Sequence, residues 1–337
     1  MKLLKFIKAA TLTTAAVAFS VSAIADTMKF KMATDSGAKG SPAGEALEYW
    51  AEIIESKSRG TTDEMKVDIF YQDELGDQKE VFDLLVVGEV DMMLNWPLTS
   101  YDKRMGLRNT PYLILDWKQA FDAYKPDGWL NNINSDVHSD LGIKYFGAWP
   151  EGFAGVASRG KYATSIDGAK GMKVRVPSNF PNPQTMQALG YQATAITWGE
   201  VYTSIQTGVV DGDAGNTIYW DYEYFRDVLD YYVRTKHTFV TGALSMNMEI
   251  WDDLSDNQRK IIADAALAVM EKQFTEAKAR DQKYVDQAIA SGMKYIEPTD
   301  AELRAMAKAA REKVWPLLSD EFGSEIVTQI KERAPEL

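Results

Sequence analysis

Cysteine is absent from the 337 residues, and only two histidines occur, His138 and His237. No disulfide, thiolate metal site or cysteine nucleophile can therefore form. Two histidines cannot supply a three-histidine zinc site, and no H-E-x-x-H pairing exists. Both are read as surface or capping residues. Glycine-rich nucleotide signatures are missing too: there is no G-x-G-x-x-G, no Walker loop and no G-x-S-x-G elbow. Asp211-Gly212-Asp213 begins like a calcium loop, but Gly215 stands at the fifth, ligand position, Asn216 in the glycine slot and Tyr222 in place of the terminal Glu. No metal and no cofactor is expected. Basic residues are in deficit, 37 against 49 acidic, for a net charge of -12. That balance argues against nucleic acid or an anionic membrane as partner.

Long apolar runs are also lacking after the first residues. Lys2, Lys5 and Lys8 open the chain, Ala9 to Val21 is apolar or small, and Ala23-Ile24-Ala25 fits a small-x-small cleavage pattern. The apolar part is well short of the ~20 residues that span a bilayer. Residues 1–25 are thus expected to be an export signal cleaved after Ala25, releasing a periplasmic protein. Removing its three lysines leaves the mature chain still more acidic, which makes any inward-facing arginine informative.

What is present is an α/β pattern in a chain long enough for two domains. Met28, Phe30 and Met32 alternate with lysines as a first strand, and Ser41-Pro42 starts a helix that runs to about Lys57. Met65 to Tyr71 alternates as a second strand, Gln78 to Val87 reads as a helix stopped by Gly88, and Val90 to Leu94 as a third strand. Strands alternating with helices imply parallel pairing. The stretch from Glu80 to Asp91 is echoed by Glu200 to Asp211, with the Glu, first Val, Gly, later Val and Asp shared. Two related lobes with a ligand cleft between them follow. Ser255-Asp256-Asn257-Gln258 is a capping box, and apolar residues at helical spacing continue to Ala290 before Gly292. Such a helix is about 50 Å long, more than one lobe, and should couple both. Further capped helices start at Thr299 and Ser319. The expected division is 26–150 plus about 239–275 for the first lobe and 151–238 plus about 276–337 for the second, with helix 256–290 shared.

The segment Gly171 to Asn216 carries the chemistry. Arg175 lies on the short strand Lys173-Val174-Arg175-Val176, stopped by Pro177, where a planar guanidinium suits a carboxylate. An ion pair with an aspartate of its own fold is the plainer alternative. Tyr71, Trp96, Trp149, Phe153, Trp198, Tyr219 and Trp220 all fall near strand ends or loops and can supply an aromatic pocket. Asn95, next to Trp96, joins them.

Several separated motifs now agree in order. Tyr71-Gln72-Asp73-Glu74-Leu75-Gly76-Asp77, Gly88-Glu89-Val90-Asp91, Ser165 to Pro177, and Gln206-Thr207-Gly208-Val209-Val210-Asp211-Gly212 follow the export signal. Together they resemble the solute-binding proteins of tripartite ATP-independent periplasmic (TRAP) transporters, over essentially the whole mature chain. The resemblance implies a two-lobed, type II-like periplasmic binding fold with crossing strands and a long spanning helix. It implies capture of an organic anion, without catalysis, and delivery to membrane permease subunits driven by an ion gradient. Arg175 matches the family arginine that clamps the ligand carboxylate, and Trp198 a position where an aromatic packs over the ligand. The Asp213 to Asn216 turn matches the polar contact from the second lobe, with Asn216 its useful donor. Many members carry a second arginine where this chain has Ala154, so Glu151 and Trp149 are expected to shape that end. Tyr71, Glu74 and Trp96 should meet the ligand from the first lobe, and Glu74 and Glu151 could hold hydroxyl or amino groups. A monomer that binds a monocarboxylate with an apolar or cyclic body is the resulting expectation. A periplasmic hydrolase or lyase using paired carboxylates, and a sensing module for a membrane receptor, are the alternatives.

Overall fold

The computed structural model describes residues 27–337, so the export signal and its cleavage site lie outside the described residues. Eleven strands form two mixed sheets. In chain order they are β1 (Met28–Thr34), β2 (Met65–Phe70), β3 (Met92–Asn95), β4 (Ile143–Phe153), β5 (Val156–Ser158), β6 (Lys173–Val176), β7 (Gln192–Ala195), β8 (Gly212–Ala214), β9 (Tyr231–Val233), β10 (Phe239–Asn247) and β11 (Lys294–Ile296). The first sheet has the order β2-β1-β3-β10-β4, the second β11-β9-β5-β8-β6-β7.

The two sheets repeat one topology. In the first, β1 is parallel to β2 and β3, and β10 is antiparallel to β3 and β4. In the second, β6 is parallel to β7 and β8, and β5 is antiparallel to β8 and β9. The sequence echo ends at the entries to β3 and β8, which hold equivalent places in this scheme. Its second copy is a short helix, Val201–Gln206, against Gln78–Val86 in the first. Asp77 caps the first copy with a complete capping box, as an acidic residue at a helix N-terminus should. Gly88 takes a positive φ of 76° after that helix, so the third strand starts at Met92 rather than Val90.

The chain passes between the lobes along extended segments. Strand β4 ends at Phe153 in the first sheet and β5 begins at Val156 in the second; β9 leads back to β10. The two crossings bond to each other: Ala154 N donates to Thr238 O at 2.9 Å, and Lys236 N to Ala154 O at 3.0 Å. Helix Asp256–Ala290 starts at the Ser255/Gln258 capping box. Its Ile262, Ala265, Val269 and Met270 enter the first lobe's core, whereas Val285 and Ala288 enter the second's. One rigid element therefore packs on both lobes.

Three local expectations change. Ser319 lies inside the short helix Leu318–Phe322, and the last helix, Ser324–Arg333, follows Gly323 without a side-chain cap. Leu318, Phe322, Val327 and Ile330 pack with Leu107, Leu130 and Phe239 of the first lobe, so the chain's end returns there instead of staying with the second lobe. Both histidines are buried, not superficial. His138 Nδ1 lies 2.7 Å from Asn134 O and His237 Nδ1 2.7 Å from Thr235 Oγ1, and burial pushes each down to about 4.

Candidate functional site

A cavity of about 90 Å³ lies between the lobes and leads into a wide outer cleft. Its wall includes Arg108, Arg175, Glu151, Trp96, Trp198 and Trp220, together with the amides of Asn109, Asn179, Asn182 and Asn216.

Arg175 reaches the wall because of strand register. On neighbouring parallel strands β6 and β8, Arg175 stands directly beside Asp213. Its Nη1 donates to Asp213 Oδ1 at 3.0 Å and its Nε to Ile196 O at 2.9 Å. The guanidinium also lies 5.8 Å from the Trp198 ring centroid, within cation–π range. Nη2 makes no hydrogen bond among the described residues. The plainer expectation, pairing with an aspartate of the fold, and an open donor edge are thus both present in one side chain.

Asp213 and Asn216 stand behind the guanidinium. Asp213 Oδ2 accepts from Asn216 Nδ2 at 2.6 Å, and Asp221 Oδ1 lies 3.4 Å from the same nitrogen. Burial and the adjacent Asp213 charge push Asp221 well above the usual carboxylate range. Burial raises Asp213 as well, against the pull of Arg175. The Asn216 amide nitrogen, expected to be a free donor, is engaged by these two carboxyls.

Glu151 owes its position to a β-bulge. Phe239 pairs with Phe153, Val240 with Gly152 and Thr241 with Pro150, which leaves Glu151 as the extra residue. Pro150 and Gly152, with φ 132° at the glycine, are the residue types that mark such irregularities. The bulge turns the carboxylate into the cavity wall, where it accepts from Trp96 Nε1 at 2.6 Å and from Trp220 Nε1. Desolvation outweighs both bonds and pushes its carboxyl up to about 7. Asp35, which accepts from Trp96 N at 3.1 Å, is likewise pushed up to about 7 by burial.

Other expected residues fall elsewhere. Tyr71 donates to Glu48 at 2.7 Å, and Glu74 accepts from Tyr71 N at 2.9 Å; neither lines the cavity. Their neighbours Gln72 and Asp73 line the outer cleft instead. Trp149 packs in the first lobe's core at 5.9 Å from Trp96, and Phe153 in the cluster around Phe239. Asn95 is fully buried and accepts from Ser245 Oγ at 3.2 Å. Tyr219 stacks edge-on with Trp220 and Tyr284 away from the cavity.

Arg108 is the cavity residue that sequence reasoning missed. It lies in the last turn of the short 3-10 helix Lys103–Asn109 and donates from Nη1 to Thr241 O at 2.9 Å, with no carboxylate in ion-pair range among the described residues. Its signal in the sequence is being the one charged residue between Arg104 and Asp116. A second cation therefore does face the cavity, from a segment other than the one around Ala154.

Two lobes joined by crossing segments, closed over a cavity with basic and aromatic walls, define a binding protein of the periplasmic type. The chain belongs to the bacterial extracellular solute-binding proteins of family 7, whose model matches residues 33–319. A solute-binding protein of Chromohalobacter salexigens is 26% identical over 226 residues, 67% of this chain and 66% of that protein. The C4-dicarboxylate-binding periplasmic protein of Rhodobacter capsulatus is 23% identical over 324 residues, 95% of each chain. A TRAP periplasmic solute-binding protein of Desulfovibrio salexigens, solved with orotic acid, superposes with a TM-score of 0.83 at 21% identity, covering 91% of this chain and 98% of that one. These relatives are transporter solute-binding proteins rather than enzymes. No described helix is long and apolar enough to cross a membrane.

Proposed function

We propose that the mature protein, a periplasmic monomer beginning at Asp26, captures a small organic monocarboxylate in the interlobe cavity and delivers it to the membrane permease subunits of a TRAP transporter. The observation that carries this reading is the pair of guanidiniums in one cavity wall: Arg175 with Nη2 open, and Arg108 without a carboxylate partner among the described residues. An unpaired buried guanidinium is costly, and an incoming carboxylate relieves that cost. Trp96, Trp198, Trp220, Pro177 and Val240 supply the apolar surface for the rest of the ligand. The acids bound by relatives, a C4-dicarboxylate and orotic acid among them, are consistent with this chemistry.

Closure would follow from contacts made on both sides. Asn179, on the loop after β6, accepts from Thr99 N at 3.2 Å and Thr99 Oγ1 at 3.3 Å, and donates to Pro97 O at 3.4 Å. Native mass spectrometry of protein taken from the periplasm, before and after Arg108→Met, tests the reading. A co-purified organic acid that is lost in the variant is expected. A co-purified ligand without an acid group would overturn it.

A further inference from the structure

We propose that Arg280, on the long helix and outside the ligand cavity, is a positioning residue that acts on Glu151 through a hydrated internal cavity and so fixes the charge the ligand wall presents. Arg280 plays this part before any ligand arrives, so the role goes beyond the carboxylate reading and does not depend on it. Glu151 has two sides. Its carboxylate stands in the ligand wall, bonded to Trp96 and Trp220, and the same residue borders a second cavity of about 20 Å³. Pro42 of the first lobe, Thr217 of the second, and Gln273, Arg280 and Asp281 of the long helix line that cavity too. Another cavity of about 20 Å³ shares Trp149, Gln273 and Arg280 with it. Each exceeds the ~10–15 Å³ that a single water requires. A buried donor awaits one: Trp149 is 1% exposed, and its Nε1 has no acceptor among the described residues. Gln273 is already engaged, accepting from Arg280 at 2.9 Å and donating to Pro150 O at 2.5 Å. A water bonded to the indole relieves the cost of the orphan donor.

Two cations, Arg108 and Arg280, pull the Glu151 carboxyl down against burial. They differ in what a ligand does to them. Arg108 belongs to the ligand wall, where a bound anion draws on its charge. Arg280 lies behind that wall and keeps acting on Glu151 with the cavity empty or filled. Its own partners leave its charge largely free. Gln273 is neutral, and Glu276, at 3.5 Å, is nearly half exposed and already holds Lys272 at 2.6 Å. Other ionisable groups around these cavities are committed elsewhere: Arg175 to Asp213, Asp281 to Arg234, and Asp35 to Trp96 N. Burial pushes the Tyr219 hydroxyl up, and Glu45 and Lys272 border only the farther small cavity. Across a narrow gap holding one or two waters, charges attract with far less screening than at the surface. The long helix packs on both lobes, so the charge of the ligand wall is tied to the element that couples them.

Carbon-13 NMR of glutamate-labelled, ligand-free protein reads this charge directly, with the Glu151 carboxyl signal identified by its loss in Glu151→Gln. Arg280→Met should raise the titration midpoint of Glu151 by at least about half a pH unit. Arg280→Lys, which keeps a cation, should leave it near the wild-type value. Lys278→Met, which removes an exposed cation from the same helix, should not move it. An unchanged midpoint in folded Arg280→Met, or one moved as far by Arg280→Lys or by Lys278→Met, would overturn the proposal. A high-resolution crystal structure of the wild-type protein tests the hydrated link and needs no variant to fold. At least one water bonded to Trp149 Nε1 is expected, and dry cavities would overturn the proposal as well. Neither measurement uses a ligand, so a failure of the carboxylate reading would leave both results standing.

Discussion

Arg175→Lys separates ligand recognition from fold support, and the structure sets both magnitudes. The guanidinium does three things at once: it bonds Ile196 O, bonds Asp213, and keeps Nη2 for the cavity. An ammonium is a single compact charge on a flexible stem and cannot hold three fixed directions. Its nearest strong partner is Asp213, buried and otherwise left without a cation, so the ligand loses its donor. A charge-assisted hydrogen bond lost in a desolvated site costs about 2–4 kcal/mol, or roughly thirty- to a thousandfold in Kd. Stability without ligand falls too. Ile196 O loses a donor, which costs about 1 kcal/mol, while Asp213 keeps a positive neighbour and avoids the full penalty of a broken buried pair. A melting temperature lower by about 2–4 °C follows. Calorimetry with the tightest-binding acid of a carboxylate panel measures the first effect, and a ligand-free thermal scan the second. Equal affinities in two folded proteins would refute the assignment of Arg175 as the carboxylate donor.

Three other outcomes are expected. Glu151 titrates near 7 in the folded chain against about 4.3 when unfolded, so the native state holds the extra proton between those values and loses stability as pH rises through them. Glu151→Gln removes that dependence. Urea unfolding at pH 5 and pH 8 should show wild type losing ground to the variant by up to a few kcal/mol, while the two buried histidines, which destabilise below about 6.5, act on both proteins alike. A difference independent of pH would refute the raised carboxyl. Asn179→Ala removes three hydrogen bonds between the lobes and should weaken ligand by about 1–2 kcal/mol, mainly through faster dissociation; stopped-flow off-rates unchanged from wild type would show that this loop does not hold the lobes closed. Gly212→Ala would put a Cβ 2.0 Å from Ala157 O on the adjacent strand, and urea unfolding should register a loss of about 1–3 kcal/mol or more.

The elements of this fold were legible because their causes are local. Ser255 with Gln258 and Thr299 with Glu302 close capping boxes within one helical turn, and the alternation of Met28, Phe30 and Met32 needs no distant partner. The internal echo likewise marked two structurally repeated lobes, since a helix, its glycine stop and the next strand are contiguous. Arg175 could be singled out for the same reason, on a short strand ended by proline.

Which side chains meet was settled only by tertiary structure. Arg108 and Arg175 are 67 positions apart in the sequence and share a cavity because their segments come from different lobes. Plain strand alternation places Trp149, Glu151 and Phe153 on one face, yet the bulge sends Glu151 to the cavity and leaves the two aromatics in the core. Tyr71 and Glu74 carry the right chemistry but are taken by Glu48 and by the turn's own backbone. The amino-acid sequence by itself determined the helices, the strands and the guanidinium, through hydrogen bonds and periodicities that act within a few residues. The polarity of the site was decided by long-range packing, because the charge a cavity presents depends on which neighbours neutralise each group, and those neighbours lie far away in the chain.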